Sequence, residues 1–156
     1  MKILVFSDSH GRRDLIDKAL RAHPDTDVLI HAGDGYDDVS PSDAPVVVRV
    51  PGNCDRSADA QDHIIFEAEG VRFLVTHGNL QKVSYGLTKL AALCRSMNCG
   101  IAVFGHTHHA VCTMINGVML LNPGTANRSR SRDHYISYAE IRIENGKTEE
   151  ISISYL

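Results

Sequence analysis

Lys2-Ile3-Leu4-Val5-Phe6-Ser7-Asp8-Ser9-His10-Gly11 decides the fold. An unbroken apolar run ends abruptly in a polar turn closed by glycine. A strand that is apolar at successive positions, not alternate ones, is covered on both faces, and such strands belong to layered α/β proteins. The same figure recurs along the chain. Asp27-Val28-Leu29-Ile30-His31 runs into Ala32-Gly33-Asp34-Gly35, and Val46-Val47-Val48-Arg49-Val50 into Pro51-Gly52-Asn53-Cys54-Asp55. Val71-Arg72-Phe73-Leu74-Val75 releases Thr76-His77-Gly78-Asn79, and Ile101-Ala102-Val103-Phe104 releases Gly105-His106-Thr107-His108.

The segments between these strands complete an alternating pattern. Leu15, Ile16, Ala19 and Leu20 predict a helix over 12–22, stopped by Pro24. Leu87, Leu90, Ala91 and Cys94 predict a second over roughly 83–97. Glu69-Gly70, Asn116-Gly117 and Asn145-Gly146 read as tight hairpin turns, the last two joining strands near 110–115 and 118–121, and near 136–143 and 147–154. No repeat, low-complexity tract or linker interrupts residues 1–156, which read as a single domain.

Composition narrows the function. At 156 residues the chain is long enough for one substantial core, and a net charge of -3 argues against coating nucleic acid or a membrane surface. No apolar stretch approaches the roughly 20 residues that span a bilayer, and the first apolar run is too short for the core of an export signal. Cys54, Cys94, Cys99 and Cys112 form no CxxC pair, so reduced thiols and a cytoplasmic location are expected. Histidine is the anomaly: several of the nine sit beside Asp, Gly or Asn at strand ends.

Five strand ends thus release one kind of group: Asp8 and His10, Asp34, Asn53, His77, then His106 and His108. Ligands in α/β sheets bind outside the carboxyl ends of strands, where neighbouring loops converge. Imidazole with carboxylate suits Zn, Mn, Fe or Ni. In Asp8-Ser9-His10 and His106-Thr107-His108, an extended backbone would aim both side chains of each pair to one side. Such pairs place one ligand on each of two ions, or both on one. Seven donors exceed a single tetrahedral ion and suit two ions sharing a carboxylate. Gly33, Gly52, Gly78 and Gly105 each adjoin a candidate ligand, where close backbone approach is needed.

These blocks, in this order, resemble the calcineurin-like metallophosphoesterase superfamily, and Asn122-Pro123-Gly124-Thr125 resembles its small bacterial and archaeal phosphodiesterase branch. The resemblance covers the chain from the first strand to about residue 125. It implies a two-sheet β-sandwich flanked by helices, in four αββα layers. It implies two divalent cations, manganese foremost, with nickel, cobalt, zinc or iron as alternatives. Asp8, His10, Asp34 and His108 would hold the first, with Asp34 bridging, and Asn53, His77 and His106 would complete the second. Asp34, Asn53 and His77 would carry the catalytic work, a bridging hydroxide attacking phosphorus in a small phosphoester.

One position departs from the superfamily. Many members carry a histidine after the Asn, and it is thought to assist the leaving group; here that residue is Cys54, which has no cationic form. Cys54, Asp55, Arg56 and His109 are the candidates on the substrate side. His31 reads as buried, Asp37 and Asp38 as a solvated loop, and Arg128, Arg130 and Arg132 as a basic turn able to meet a phosphate. The resemblance also admits a non-catalytic scaffold like the retromer subunit of this fold, although every ligand position is kept here. No long nucleic-acid track is expected, and a homodimer is.

Overall fold

The computed structural model describes residues 1–56 and 60–156. Within the described residues, ten strands form two five-stranded sheets. The first contains β1 (Lys2–Phe6), β2 (Val28–His31), β3 (Val46–Arg49), β9 (Ser137–Glu144) and β10 (Lys147–Tyr155), in the order β10-β9-β1-β2-β3. The second contains β4 (His63–Ala68), β5 (Val71–Thr76), β6 (Ile101–Val103), β7 (Ala110–Ile115) and β8 (Val118–Pro123), in the order β4-β5-β6-β8-β7. Strands β1, β2 and β3 are parallel, as are β5, β6 and β8; β9 and β10 add antiparallel strands beside β1, and β4 and β7 are the antiparallel edges of the second sheet. All six parallel strands therefore deliver their carboxyl ends to one edge of the molecule.

Alternation along the buried strands builds the layers. Ile3, Val5, Val28 and Ile30 point between the sheets to meet Phe73, Val75, Ile101, Val103 and Leu121. Their neighbours Leu4, Phe6 and Leu29 face the other way and pack on Ile16 and Ala19 of α1 (Arg13–Ala22). On the far side Leu74, Ala102 and Leu120 pack on Leu90, Ala91 and Cys94 of α2 (Thr88–Ser96). The order is helix, sheet, sheet, helix, as the family resemblance implies. Phe73 is fully buried in the middle layer, where truncation to alanine costs about 3–5 kcal/mol.

Two sequence expectations need adjustment here. The helix predicted over 83–97 is broken: Val83–Tyr85 forms one 3-10 turn, and Gly86 at φ 141 ends it, so α2 begins at Thr88. Asp38 closes a second 3-10 turn, Tyr36–Asp38, and is tied into the site described below. The three hairpin turns form as expected, with both residues at positive φ in Glu69-Gly70, Asn116-Gly117 and Asn145-Gly146. Among the described residues, no helix is long and apolar enough to cross a membrane.

Candidate metal centre

The loops leaving the parallel strands are laced together by their backbones. The amide of Asp8 donates to Gly33 O (2.9 Å), that of His10 to Asp34 O (3.0 Å), and that of Gly105 to His77 O (3.0 Å). Thr125 Oγ1 donates to Asp8 O at 2.6 Å, and Asn122 Nδ2 to Gly105 O at 2.8 Å. The Asn122–Thr125 segment thus fixes the first and last loops from beneath.

Asp8, His10, Asp34, His106 and His108 all have positive φ, between 46° and 68°. This corrects the expectation that Asp8-Ser9-His10 and His106-Thr107-His108 are extended. The side chains of each pair converge because both residues turn into the left-handed region, not because a pleat repeats every second residue. Left-handed geometry is uncommon outside glycine and accumulates where function over-determines the backbone. Five such residues in one cluster mark this edge as the functional one.

Asp8, His10, Asp34 and His108 place one ligand atom each within 4.8 Å of one another. His10 Nε2 and His108 Nε2 face each other at 3.3 Å, and His108 Nε2 lies 3.1 Å from Asp8 Oδ1. Around Asn53 a second group gathers: its Oδ1 is 3.2 Å from His77 Nε2 and 2.9 Å from His106 Nδ1. Asp34 Oδ2 lies between the groups, 3.8 Å from His10 Nε2 and 3.5 Å from His77 Nε2. All seven sequence candidates are therefore brought together.

Proton positions make this a cation's environment. His77 Nδ1 donates to Ala32 O at 2.7 Å and His108 Nδ1 to Arg130 O at 2.9 Å. In the neutral rings Nε2 is then a bare lone pair, and each bare Nε2 faces a carboxylate oxygen. Asp8 Oδ1 is fully buried and accepts no hydrogen bond. Its partner Oδ2 is satisfied by Ser7 Oγ at 2.6 Å and the His106 amide at 3.0 Å. Lone pairs confronting one another in a buried site are unfavourable unless positive charge lies between them. The donor set fits divalent cations on that ground.

Burial and charge set the titration of these groups. Burial pushes His10 and His106 below the ordinary histidine value, aided by Arg130 at His10 and by His77 at His106. The Asp8 carboxylate raises His108. At His77, burial is outweighed by Asp34 and Asp8, and the pKa rises. At Asp34, burial favours the neutral acid, yet His77 and the Cys54 amide hold the carboxyl well below the usual range.

Glycine is required at two contacts. A Cβ at Gly52 would strike the Asp34 carboxylate, and one at Gly105 would strike Ser7 Oγ and Asp8 Oδ2. The backbone must pass against both acids for the cluster to close.

The substrate-side candidates separate. The Cys54 amide donates to Asp34 Oδ1 at 2.8 Å, and its side chain is exposed at the rim. Arg56 is exposed. His109 is exposed and pairs through Nδ1 with Asp133. Asp55 does not present its carboxylate to substrate, contrary to the sequence reading: it accepts from the amides of Gly35 (3.0 Å), Tyr36 (3.2 Å) and Gly52 (2.8 Å), pinning the second loop to the third.

Sequence reasoning missed a support beneath the first loop. Buried His31 contacts Ser9 Oγ through Nε2 at 2.9 Å, Ser9 Oγ donates to Asp38 Oδ2 at 2.5 Å, and the Gly11 amide donates to the same oxygen at 2.7 Å. Asp38 is no free loop residue. Only the run Ser9-x-Gly11 beside an acid-rich turn carried a signal for it, and that signal is weak.

Comparison with known proteins agrees with this geometry. The calcineurin-like phosphoesterase superfamily domain matches residues 1–146. The chain belongs to that family. It is similar to a Bacillus subtilis protein named "probable metallophosphoesterase" (32% identity over 147 residues, 93% of this chain and 86% of that one). It is also similar to a phosphodiesterase of Methanocaldococcus jannaschii (26% identity, 80% and 83% covered). The fold matches that of wild-type Vps29 from Entamoeba histolytica, a structure complexed with zinc (18% identity, TM-score 0.76, 100% and 98% covered).

Proposed function

We propose that this metallophosphoesterase is a phosphodiesterase with two divalent cations. Asp8, His10, Asp34 and His108 hold one, and Asp34, Asn53, His77 and His106 hold the other. The observation that carries the reading is the place of Asp34 Oδ2, within 4 Å of imidazole nitrogens from both groups. Manganese leads the candidate metals for this nitrogen and oxygen donor set, ahead of nickel, cobalt, zinc and iron. Such a pair supplies a water nucleophile of lowered pKa and neutralises charge developing on the phosphoryl oxygens.

The chain's own residues supply orientation. The Cys54 amide anchors Asp34 Oδ1, leaving Oδ2 to face both groups. Ala32 O and Arg130 O fix the tautomers of His77 and His108, so that Nε2 of each turns inward as an acceptor. At the rim, burial and the neighbouring Asp34 raise the Cys54 thiol, which is therefore neutral at pH 7 and cannot act as a cationic acid. Esters with good leaving groups need no such acid and are the favoured substrates.

The likeness to Vps29 favours a second reading, a binding scaffold without activity. That role gives the seven inward-turned donors no catalytic work. One experiment separates the two: metal-stripped protein reloaded with Mn, Ni, Co, Zn or Mg and given bis-p-nitrophenyl phosphate or p-nitrophenyl phosphate, with Asp34→Asn as control. Metal-dependent turnover of the diester, lost in Asp34→Asn, is expected. Two bound ions per chain with no turnover of either ester would favour the scaffold.

A further inference from the structure

Beyond the metal groups, one feature at the same edge of the molecule has no structural task. Tyr135 and Tyr155 are 62% and 60% exposed, and their rings meet edge to face with centroids 5.6 Å apart. With His109, Ala110 and Asp133 they line a cavity of about 460 Å³. Two large aromatic side chains left in water while walling a concave site are a costly arrangement for a surface without a ligand.

Register locates this cavity relative to the metal groups. Val5 pairs with Ala139 and Ala139 with Ile153, while Ser137 pairs with Tyr155. Continuing the pairing two residues beyond Val5 puts Tyr155 level with Ser7, the residue before Asp8. Two strand spacings, roughly 10 Å, separate their backbones. On the other side Ala110 pairs with Pro123 at the end of β8, again at the functional edge. The cavity therefore opens between the rims of the two sheets, beside the centre and not behind it.

Its polar wall continues from the ligand loop. His109 follows His108 directly, pairs with Asp133 through Nδ1, and leaves Nε2 for a ligand. Asp133 is itself held by the Ala110 amide at 2.9 Å through its other oxygen. Arg130, whose carbonyl holds His108, lies in the exposed basic turn Arg128–Arg130 at the same rim. Among the described residues no carboxylate forms a salt bridge with it. Positive charge thus lies toward the metal groups and aromatic surface away from them, the order in which a nucleotide presents its phosphate and base.

We infer that the Tyr135–Tyr155 cavity is the subsite for a nucleobase, and that the substrate is a phosphodiester of a nucleoside. The inference rests on the phosphodiesterase reading and names the substrate class of the same centre. The base stacks on the tyrosines, a contact tolerant of base identity because every base offers a π face. His109 Nε2, oriented by Asp133, meets a polar edge of the nucleoside. A cavity of about 460 Å³ accommodates one base, not a track.

The test uses full-length, manganese-loaded protein and two esters with the same leaving group, thymidine 5′-(p-nitrophenyl phosphate) and methyl p-nitrophenyl phosphate. The wild type should prefer the thymidine ester by about 10-fold in kcat/KM, chiefly through KM. Tyr135→Ala and Tyr155→Ala should each reduce that preference several-fold while leaving methyl ester turnover unchanged, and Tyr135→Phe should keep it. Equal handling of the two esters by the wild type, or a preference that survives both alanine variants, would overturn the subsite and leave the metal centre standing. Failure to hydrolyse either ester with any metal would instead remove the phosphodiesterase reading, and the subsite with it.

Discussion

His108 Nε2 lies 3.1 Å from Asp8 Oδ1, a fully buried oxygen that accepts no hydrogen bond. The other ring nitrogen of His108 is committed to Arg130 O, so a neutral ring meets the carboxylate lone pair to lone pair, and Asp8 accordingly raises the His108 pKa. An arrangement of this kind is strained without a positive charge between the two groups, and stable once one is present. The stability of the fold should therefore depend on metal in a way that Asp8 reports.

Asp8→Asn preserves shape and removes the charge. In excess chelator the variant should be no less stable than the wild type in urea, and up to about 1–3 kcal/mol more stable, because an uncompensated buried charge is gone. With manganese added, the wild type should gain melting temperature and the variant much less, since binding to the folded state alone is what stabilises. An equal loss of stability with and without metal would refute the account.

Gly52→Ala tests how closely the third loop must pass the second. The added methyl meets the Asp34 carboxylate, held by the Cys54 amide, and the Asp34 amide, in a residue whose carbonyl accepts from His10 N. Something must shift, and Asp34 is the group in the way. The expected outcome is a loss of at least about 10-fold in kcat/KM, with fewer than two metal ions per chain by elemental analysis. Retention of both ions and full activity would show that the loop has slack.

The sheet edge was legible because apolar runs such as Val28-Leu29-Ile30 and Ile101-Ala102-Val103-Phe104 break off into short polar turns that contain glycine, and the candidate ligands sit in those turns. The left-handed turns were not. Nothing in Asp8 or His106 as residue types demands positive φ; the demand comes from the partner loops that receive their amides and carboxylates. Asp38 and Asp55 were misread for a similar reason. Each serves backbone amides, Asp38 that of Gly11 and Asp55 those of Gly35, Tyr36 and Gly52. Backbone amides carry no residue signature. Gly86 did carry a signal, and the apolar periodicity of Leu87, Leu90 and Ala91 masked it by extending the helix too far back.

His31 gives the fold a definite acid sensitivity. Its Nδ1 accepts the Gly33 amide at 3.3 Å and its Nε2 faces Ser9 Oγ, so the buried ring is held neutral. Burial lowers its pKa from 6.5 to about 4, against the opposing charges of Asp8, Asp38 and Asp55 and with a small contribution from His77. The unfolded chain therefore binds this proton below pH 6.5 and the folded chain only near pH 4. Stability falls as pH drops through that window, by about 3 kcal/mol if the whole shift is expressed. Urea denaturation of metal-free protein at pH 7 and pH 4.5 should show a smaller decline for His31→Gln than for the wild type. Parallel declines would place the sensitivity elsewhere.

Cys54→His addresses the leaving group. Cys54 sits at the rim with its amide on Asp34, so an imidazole there would stand at the mouth of the centre, where the resemblance puts the histidine that assists the leaving group. General acid catalysis contributes about 10²–10⁴-fold when the leaving group is poor and little when it is p-nitrophenolate. The variant should hydrolyse alkyl phosphodiesters at least about 10-fold faster than the wild type while leaving the nitrophenyl ester nearly unchanged. The acid must be protonated to act, so the gain should fade as pH rises past the ordinary histidine range near 6.5. A gain equal for both esters, or one independent of pH, would mean that the substitution alters metal binding through Asp34, and that the rim of this site lacks room for a proton donor.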